Sequence, residues 1–307
     1  MYYIHKVASI THQNSFLQND INALLVEITE GSVLFAPDYK KYVLPSSLRR
    51  LSPILRMAVA VAKECQEAIN TPFEAISIGT ALGCLTDTEK FLNVVNTVEG
   101  DILSPTSFIQ STHNTISGLI SLELKNHSYN MTHTQNNISF EMALIDSILC
   151  CDEGKSFVLL GAADEGIEFL NKLKPIVISK DAFVTSGATF FALSKIKSNA
   201  EIGIVACQAK LNKVSIDSEI NSFLGNLQID SAAIDIVYSN CLTEHFPSEK
   251  MIHYEKFSGL YFTSNAFGVH MAHDWLIEQS KKYALVVNSS CEGGIGLILL
   301  RNDKAQD

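Results

Sequence analysis

Proline and glycine are scarce in this 307-residue chain, at 7 and 16 residues. That scarcity excludes collagen-like repeats and Pro/Gly-rich linkers, and a hydrophobic content of 47% excludes disorder. Charge is sparse too, at 18% of residues, and its balance is −10. An acidic chain with so little positive charge lacks the basic face of a nucleic-acid binder. Long apolar runs are missing. Ala58–Ala62 and Phe190–Leu193 fall far below the roughly 20 residues of a membrane span. The N-terminal stretch Met1–Asn14 has no long apolar region behind a basic start. No signal peptide is therefore expected, and the reading is a soluble, cytoplasmic protein. Paired cysteine motifs are also lacking. The seven cysteines (65, 84, 150, 151, 207, 241 and 291) are odd in number and contain no C-x-x-C, so buried reduced thiols are expected and a zinc site is not.

What is present is a large apolar content cut into short periodic pieces. A chain of this length can bury roughly 75% of its unfolded surface. Strands are predicted over 2–10, 75–79, 129–132, 157–161, 234–238, 283–288 and 296–301. Segments 183–194 and 202–209 are predicted to be paired strands. Helices are predicted over 46–69, 86–98, 114–124, 139–150, 215–227 and 264–280. Pro53 marks a kink or the true start of the first, with Ser52 as N-cap. Ser104–Thr106 reads as a loop. Strand–helix alternation with apolar strands argues an α/β fold whose sheet is covered on both faces. The similar order of elements on either side of residues 165–180 suggests an internal duplication.

Four segments then line up with one family. Asp181–Ala188 (DAFVTSGA) resembles the D-x-F-V-x-G-E-G-A segment of β-ketoacyl synthases. Asn288–Gly296 (NSSCEGGIG) resembles their C-terminal N-x-F-G-F-G-G-x-N turn between strands. Lys256–Gly259 (KFSG), followed by Thr263–Gly268, resembles their K-S-x-x-G-H…A-A-G segment. Ser139–Leu144 (SFEMAL), followed by FVLLGAADE, is similar to their nucleophile helix and the strand after it. A narrower likeness lies in Ser104–Gly118 (SPTSFIQSTHNTISG). It resembles the short ketosynthase-like proteins of aryl polyene and flexirubin-type pigment clusters, some called chain-length factors. The resemblance implies a thiolase-like fold: duplicated β-α-β-α-β-α-β-β halves, 1–165 and 166–307, forming one compact unit in five α-β-α-β-α layers.

It also implies a site. Ketosynthases use a cysteine at a helix start, two histidines, and a lysine that holds the second histidine. Alignment back from Ala143 and Leu144 puts the nucleophile position at Asn137, or at Asn136 or Ile138 with a one-residue gap. The first histidine should follow the strand at 234–238, where Ser239 and Asn240 stand; His245 comes a few residues late. The second should follow Gly259, where Leu260 and Tyr261 stand. Lys256 keeps the lysine position. Gly296 replaces the final asparagine, and Cys291 and Glu292 replace the gating phenylalanines. The matches shape the backbone; the departures fall on the chemistry.

Outside the triad, His113, Asn114, His133 and Gln135 are candidates to bind substrate, against ordinary capping and packing. Cys84 at a strand–helix turn, and His270 with His273 one helical turn apart, are weaker candidates for catalysis and for a metal. Gly293 and Gly294 read as a tight turn, not a phosphate loop. The resemblance implies no cofactor and a subunit that pairs with an active ketosynthase and an acyl carrier protein. Two other readings stay open: an active acyltransferase of the 3-oxoacyl synthase type using His113, Cys84 or His245, and a non-enzymatic homodimer that binds acyl chains or a carrier protein.

Overall fold

The computed structural model describes residues 1–97, 104–177, 183–290 and 293–305. The strands are β1 Tyr2–Ile10, β2 Ala75–Gly79, β3 Tyr129–His133, β4 Val158–Asp164, β5 Gly187–Ser194, β6 Ile202–Lys210, β7 Ile236–Ser239, β8 Met251–His253, β9 Tyr283–Ser289 and β10 Ile295–Asn302. The helices are α1 Pro45–Leu48, α2 Pro53–Ile69, α3 Leu85–Thr97, α4 Pro105–Gln110, α5 Thr115–Glu123, α6 Ser139–Asp152, α7 Glu168–Val177, α8 Ile216–Asn226, α9 Glu255–Ser258 and α10 Asn265–Glu278.

Every residue of β2, β4 and β5 is buried, as expected of strands with helices on both faces. Side chains alternate between those faces. Leu159 and Phe190 point into a cluster with Ile54, Val61 and Ile116 of α2 and α5. Their neighbours Leu160 and Phe191 point the other way, to Phe140 and Leu144 of α6 and Phe267 and Met271 of α10. From the second half, Ile204, Val286 and Ile298 join that same central cluster. Leu285, Leu297 and Leu299 face outward to Ile220, Phe223 and Leu224 of α8. The result is five layers: α2 and α5, half of the sheet, α6 and α10, the other half, then α8.

The strand order is β3-β2-β4-β5-β1-β6-β10-β9-β7-β8. Numbered within its own set, β1–β5 and β6–β10 each run 3-2-4-5-1, so the two sets mirror one another about the β1–β6 junction. Two residue pairs, Tyr2 with Ile204 and Tyr3 with Gly203, make that junction. The copies are unequal. Between β2 and β3 the chain forms α3, α4 and α5; between β7 and β8 it forms one short 3₁₀ turn, Ser248–Lys250.

Several expectations need correction. β5 and β6 are not paired with each other. β5 bonds β1 and β4, and β6 bonds β1 and β10; the first strand of the chain inserts between them. Ser104–Thr106 is not a loop but the start of α4, with Ser104 as N-cap accepting from the Ser107 amide at 3.4 Å. Pro53 is the true start of α2, yet Ser52 makes no side-chain cap, and its hydroxyl is buried without a partner among the described residues. α7 and β8 were not anticipated. Among the described residues, no helix is long and apolar enough to cross a membrane.

Candidate functional site

The two central helices start beside one another, and the site lies where they start. The chain leaves β3 and turns through a 3₁₀ segment, Asn136–Ile138, into α6. Asn136 adopts a left-handed conformation, φ 51°, which asparagine tolerates better than most residues. Ser139 fastens the turn: its hydroxyl donates to the Asn136 carbonyl at 2.6 Å and accepts from the Gln135 amide at 2.8 Å. α6 lies so close to β2 that a Cβ on Gly79 would fall 2.5 Å from the Ser139 carbonyl oxygen.

Asn288 of β9 joins this turn to the second half. Its amide donates to the Asn137 carbonyl at 2.6 Å and to Glu141 Oε1 at 2.9 Å. Its Oδ1 accepts from Asn240 Nδ2 at 3.2 Å and from the Tyr254 hydroxyl at 3.3 Å. Asn240 accepts from the Ser289 amide at 2.7 Å and donates back to the Ser289 carbonyl at 3.0 Å. Asn137 Nδ2 donates to that same carbonyl at 3.0 Å. Three asparagines from different segments thus form one hydrogen-bonded web.

The web forms one wall of a cavity of about 410 Å³. Asn136, Asn137, Asn240, Asn288, Ser289 and Ser290 supply the polar side; Leu170, Val184, Leu260, Tyr261 and Phe262 supply the apolar side. The charged residues among the described lining are all acids: Asp164, Glu165 and Glu255. Asp164 accepts from the Thr80 and Thr263 hydroxyls, both at 2.9 Å, and from the Ala81 and Leu82 amides. It clamps the loop after β2 to the segment before α10. Glu165 accepts from the Thr86 amide at 2.8 Å. Burial pushes the Glu255 carboxyl up to about 7, against the pull of its contact with Asn240 Nδ2. Beneath the web, burial likewise pushes Glu141 up to about 7, and its Oε2 has no partner among the described residues. A buried carboxyl avoids the cost of desolvating its charge by holding its proton.

Of the residues singled out from sequence, Asn136, Asn137, Asn240 and Tyr261 line this cavity. Ser239 is buried at the end of β7 and bonds the Cys241 carbonyl at 2.8 Å. Lys256 faces a smaller neighbouring cavity of about 260 Å³; its side chain is 61% exposed, and its nearest acid is Glu27 at 3.9 Å. His133 lies at the end of β3, 3.3 Å from Asp146. The Gln135 side-chain oxygen is buried without a partner among the described residues. His113 and Asn114 are exposed before α5, with His113 against Gly83. Asn114 sits at the N-cap of α5 but makes no capping bond; it accepts instead from the Thr112 hydroxyl at 2.7 Å. His245 packs edge-on against Phe246. Gly293 and Gly294 do form a tight turn, closed by the Ser290 amide on the Gly294 carbonyl. Cys291 and Glu292 lie outside the described residues.

Thiol chemistry finds no support among the six described cysteines. Burial pushes each thiol up, including Cys84, where Glu165, Asp87 and Asp164 add to the effect. A nucleophilic thiol needs the opposite shift. His270 and His273 both face Asp274, at 3.6 and 2.7 Å. No group of His, Cys, Asp and Glu among the described residues could hold a metal ion. Glu141, Asp164 and Glu255 escaped sequence reasoning. For Glu141 a signal existed, a carboxylate in the apolar run SFEMAL.

The model for the β-ketoacyl synthase N-terminal domain matches residues 40–169. No curated protein sequence matches the chain. Solved structures do. The ishigamide ketosynthase/chain length factor superposes with a TM-score of 0.82 at 12% identity, covering 98% of this chain and 99% of that one. A type II polyketide synthase structure, acyl-carrier protein in complex with its ketosynthase bound to the hexaketide (AntDE:AntF), gives 0.76 at 13% identity with the same coverage. The ketosynthase ApeO in complex with its chain length factor ApeC, from Xenorhabdus doucetiae, gives 0.63 at 14%, again with that coverage. The chain therefore has the thiolase-like α/β fold of the ketosynthases, with a β-ketoacyl synthase N-terminal match across its first half.

Proposed function

We propose that this chain is a ketosynthase-like subunit of the chain-length-factor type. It pairs with an active β-ketoacyl synthase, is served by an acyl carrier protein, and performs no condensation of its own. One observation carries the reading: the cavity that gathers Asn136, Asn137, Asn240 and Tyr261 has neither cysteine nor histidine among its described lining residues. The resemblance gives the nucleophile position to Asn137, or to Asn136 or Ile138, the first histidine's to Ser239 and Asn240, and the second's to Leu260 and Tyr261; none of these is a cysteine or a histidine. An amide web can hold a carbonyl by hydrogen bonds; it cannot attack a thioester or move the proton that condensation requires. Aryl polyene or flexirubin-type biosynthesis is the narrower setting that Ser104–Gly118 suggests.

Pairing has a physical rationale. Among the described residues β3 bonds only β2, so its outer edge is an open template for another chain. Asp146 of α6 holds β3 in place, accepting from the Tyr129 hydroxyl at 2.8 Å and facing His133. Met131 of β3 is exposed, and Leu122 and Leu149 on the flanking helices are 73% and 55% exposed. A partner at this edge would cover them. The test is co-expression of the tagged chain with the ketosynthases of its own genome. A stable heterodimer is expected, lost on Met131→Arg; recovery of the chain only with itself would favour the acyl-binding homodimer instead.

A further inference from the structure

The cavity carries more information than the loss of a nucleophile. Its described wall has three acids and no lysine, arginine or histidine. The acids come from two separate segments: Asp164 ends β4 and Glu165 follows it, while Glu255 opens α9. Glu255 lies 3.4 Å from Asn240 Nδ2, so it borders the web of amides, in which Asn137 Nδ2 keeps one N–H beyond its bond to Ser289. It also lines the smaller cavity next door, together with Leu260. A ligand whose polar end reaches the amides therefore has a carboxyl as its neighbour and, among the described residues of this cavity, no cation to pair with; Lys256 faces the smaller cavity.

Building on the non-condensing reading above, we propose that this cavity selects by charge. It accepts an uncharged acyl derivative, an amide, ester or thioester, and turns away a free carboxylate, with Glu255 as the residue that sets the preference. A neutral acyl head offers a carbonyl to the second Asn137 Nδ2 hydrogen, the first being given to Ser289, while the chain lies along Leu170, Val184, Leu260 and Phe262. A carboxylate head would leave water, where it is fully solvated, for a wall whose carboxyls give it no counter-charge, and Glu255, once ionised, would repel it. At about 410 Å³ the space lies within the roughly 300–1,000 Å³ of small-ligand pockets.

The test is isothermal titration of the purified full chain with decanamide and decanoate, at a pH of about 8 where a carboxyl near 7 is ionised. Decanamide should bind at least about tenfold more tightly than decanoate. Glu255→Gln should bring the two within about threefold. Leu170→Lys, at a half-exposed position of α7, should strengthen decanoate binding by supplying a cation, and it decides the matter if the Gln variant fails to fold. Equal affinity of the wild type for both ligands would overturn the proposal. So would binding of neither, or a gap unchanged in both folded variants. None of these results bears on co-purification with a ketosynthase, so the pairing reading stands or falls separately.

Discussion

Replacing Glu141 by glutamine tests the centre of the site most directly. Glu141 is fully buried in the first turn of α6, with Oε1 bonded by Asn288 and Oε2 unpartnered. Its carboxyl titrates near 7 instead of 4.5. Between those values the folded chain holds a proton that the unfolded chain releases. Folding stability from this group is therefore fully present below 4.5 and is lost as pH rises through 7. At about 1.4 kcal/mol for each tenfold in proton affinity, the loss is roughly 3 kcal/mol. Glutamine keeps the oxygen that Asn288 needs, carries no ionisable proton, and offers Asn265, whose amide is also unpartnered, a donor. The variant should therefore be level with or slightly below the wild type at about pH 5 and should gain on it by up to about 3 kcal/mol at about pH 8. Urea unfolding followed by the single tryptophan, Trp275, reads this at both pH values. Glu255 titrates in both proteins, so its contribution cancels in the difference. A stability gap that stays constant across pH would refute the claim that Glu141 is a neutral acid in the folded chain.

Three further outcomes are expected. A Cβ at Gly296 would overlap the Glu141 carboxylate, so Gly296→Ala should destabilise by roughly 1–3 kcal/mol; a double-mutant cycle with Glu141→Ala should return part of that, and strict additivity would show that the two do not collide. Asp274 is held well below the usual carboxylate range: burial works against this, but His270 and His273 outweigh it. Its contribution is present above about pH 4 and lost as pH falls below, so Asp274→Asn should flatten the acid limb of the stability curve and cost roughly 3–5 kcal/mol at neutral pH; an unchanged acid midpoint would contradict this. Asn137→Cys should give no condensation with a carrier-bound malonyl unit, and measurable turnover would mean that groups able to replace the histidines lie elsewhere.

How much of this was legible varied with how local the cause is. β1, β2, β9 and β10 could be placed within a residue or two, because burial on one or both faces writes itself into their apolar pattern. The start of α4 was equally local: Ser104 followed by Pro105 is a cap and first-turn signature, obscured by reading Ser-Pro-Thr as a turn. Strand pairing was not legible. No local pattern says that β1, nearly two hundred residues upstream, separates β5 from β6. The site divides the same way. Asn136 and Asn137 are reached only through the family resemblance, by alignment back from Ala143 and Leu144. Glu255 owes its role to Asn240, in the segment after β7, which meets it only on folding. On its own it reads as a surface acid beside Lys256.

The exchange between Gly296 and Glu141 bears on what kind of site this is. Where the resembling pattern ends in asparagine, this chain has glycine, and the space above it holds the carboxyl of a residue from α6. That carboxyl bonds Asn288, which bonds the Asn137 backbone, and Asn288 and Ser289 in turn bond Asn240. The changes are mutually supporting: reversing one leaves a buried polar group without its partner, at about 1–3 kcal/mol each. A catalytic pocket that had merely lost its nucleophile would leave its remaining machinery loose and a cysteine easy to restore. Here a cysteine at 137 would lose the side-chain bond to Ser289 and gain no base, since the neighbouring polar groups already bond one another. On the proposed reading the pocket is rebuilt around holding a neutral chain, and single substitutions toward a condensing enzyme should cost stability before they return any chemistry.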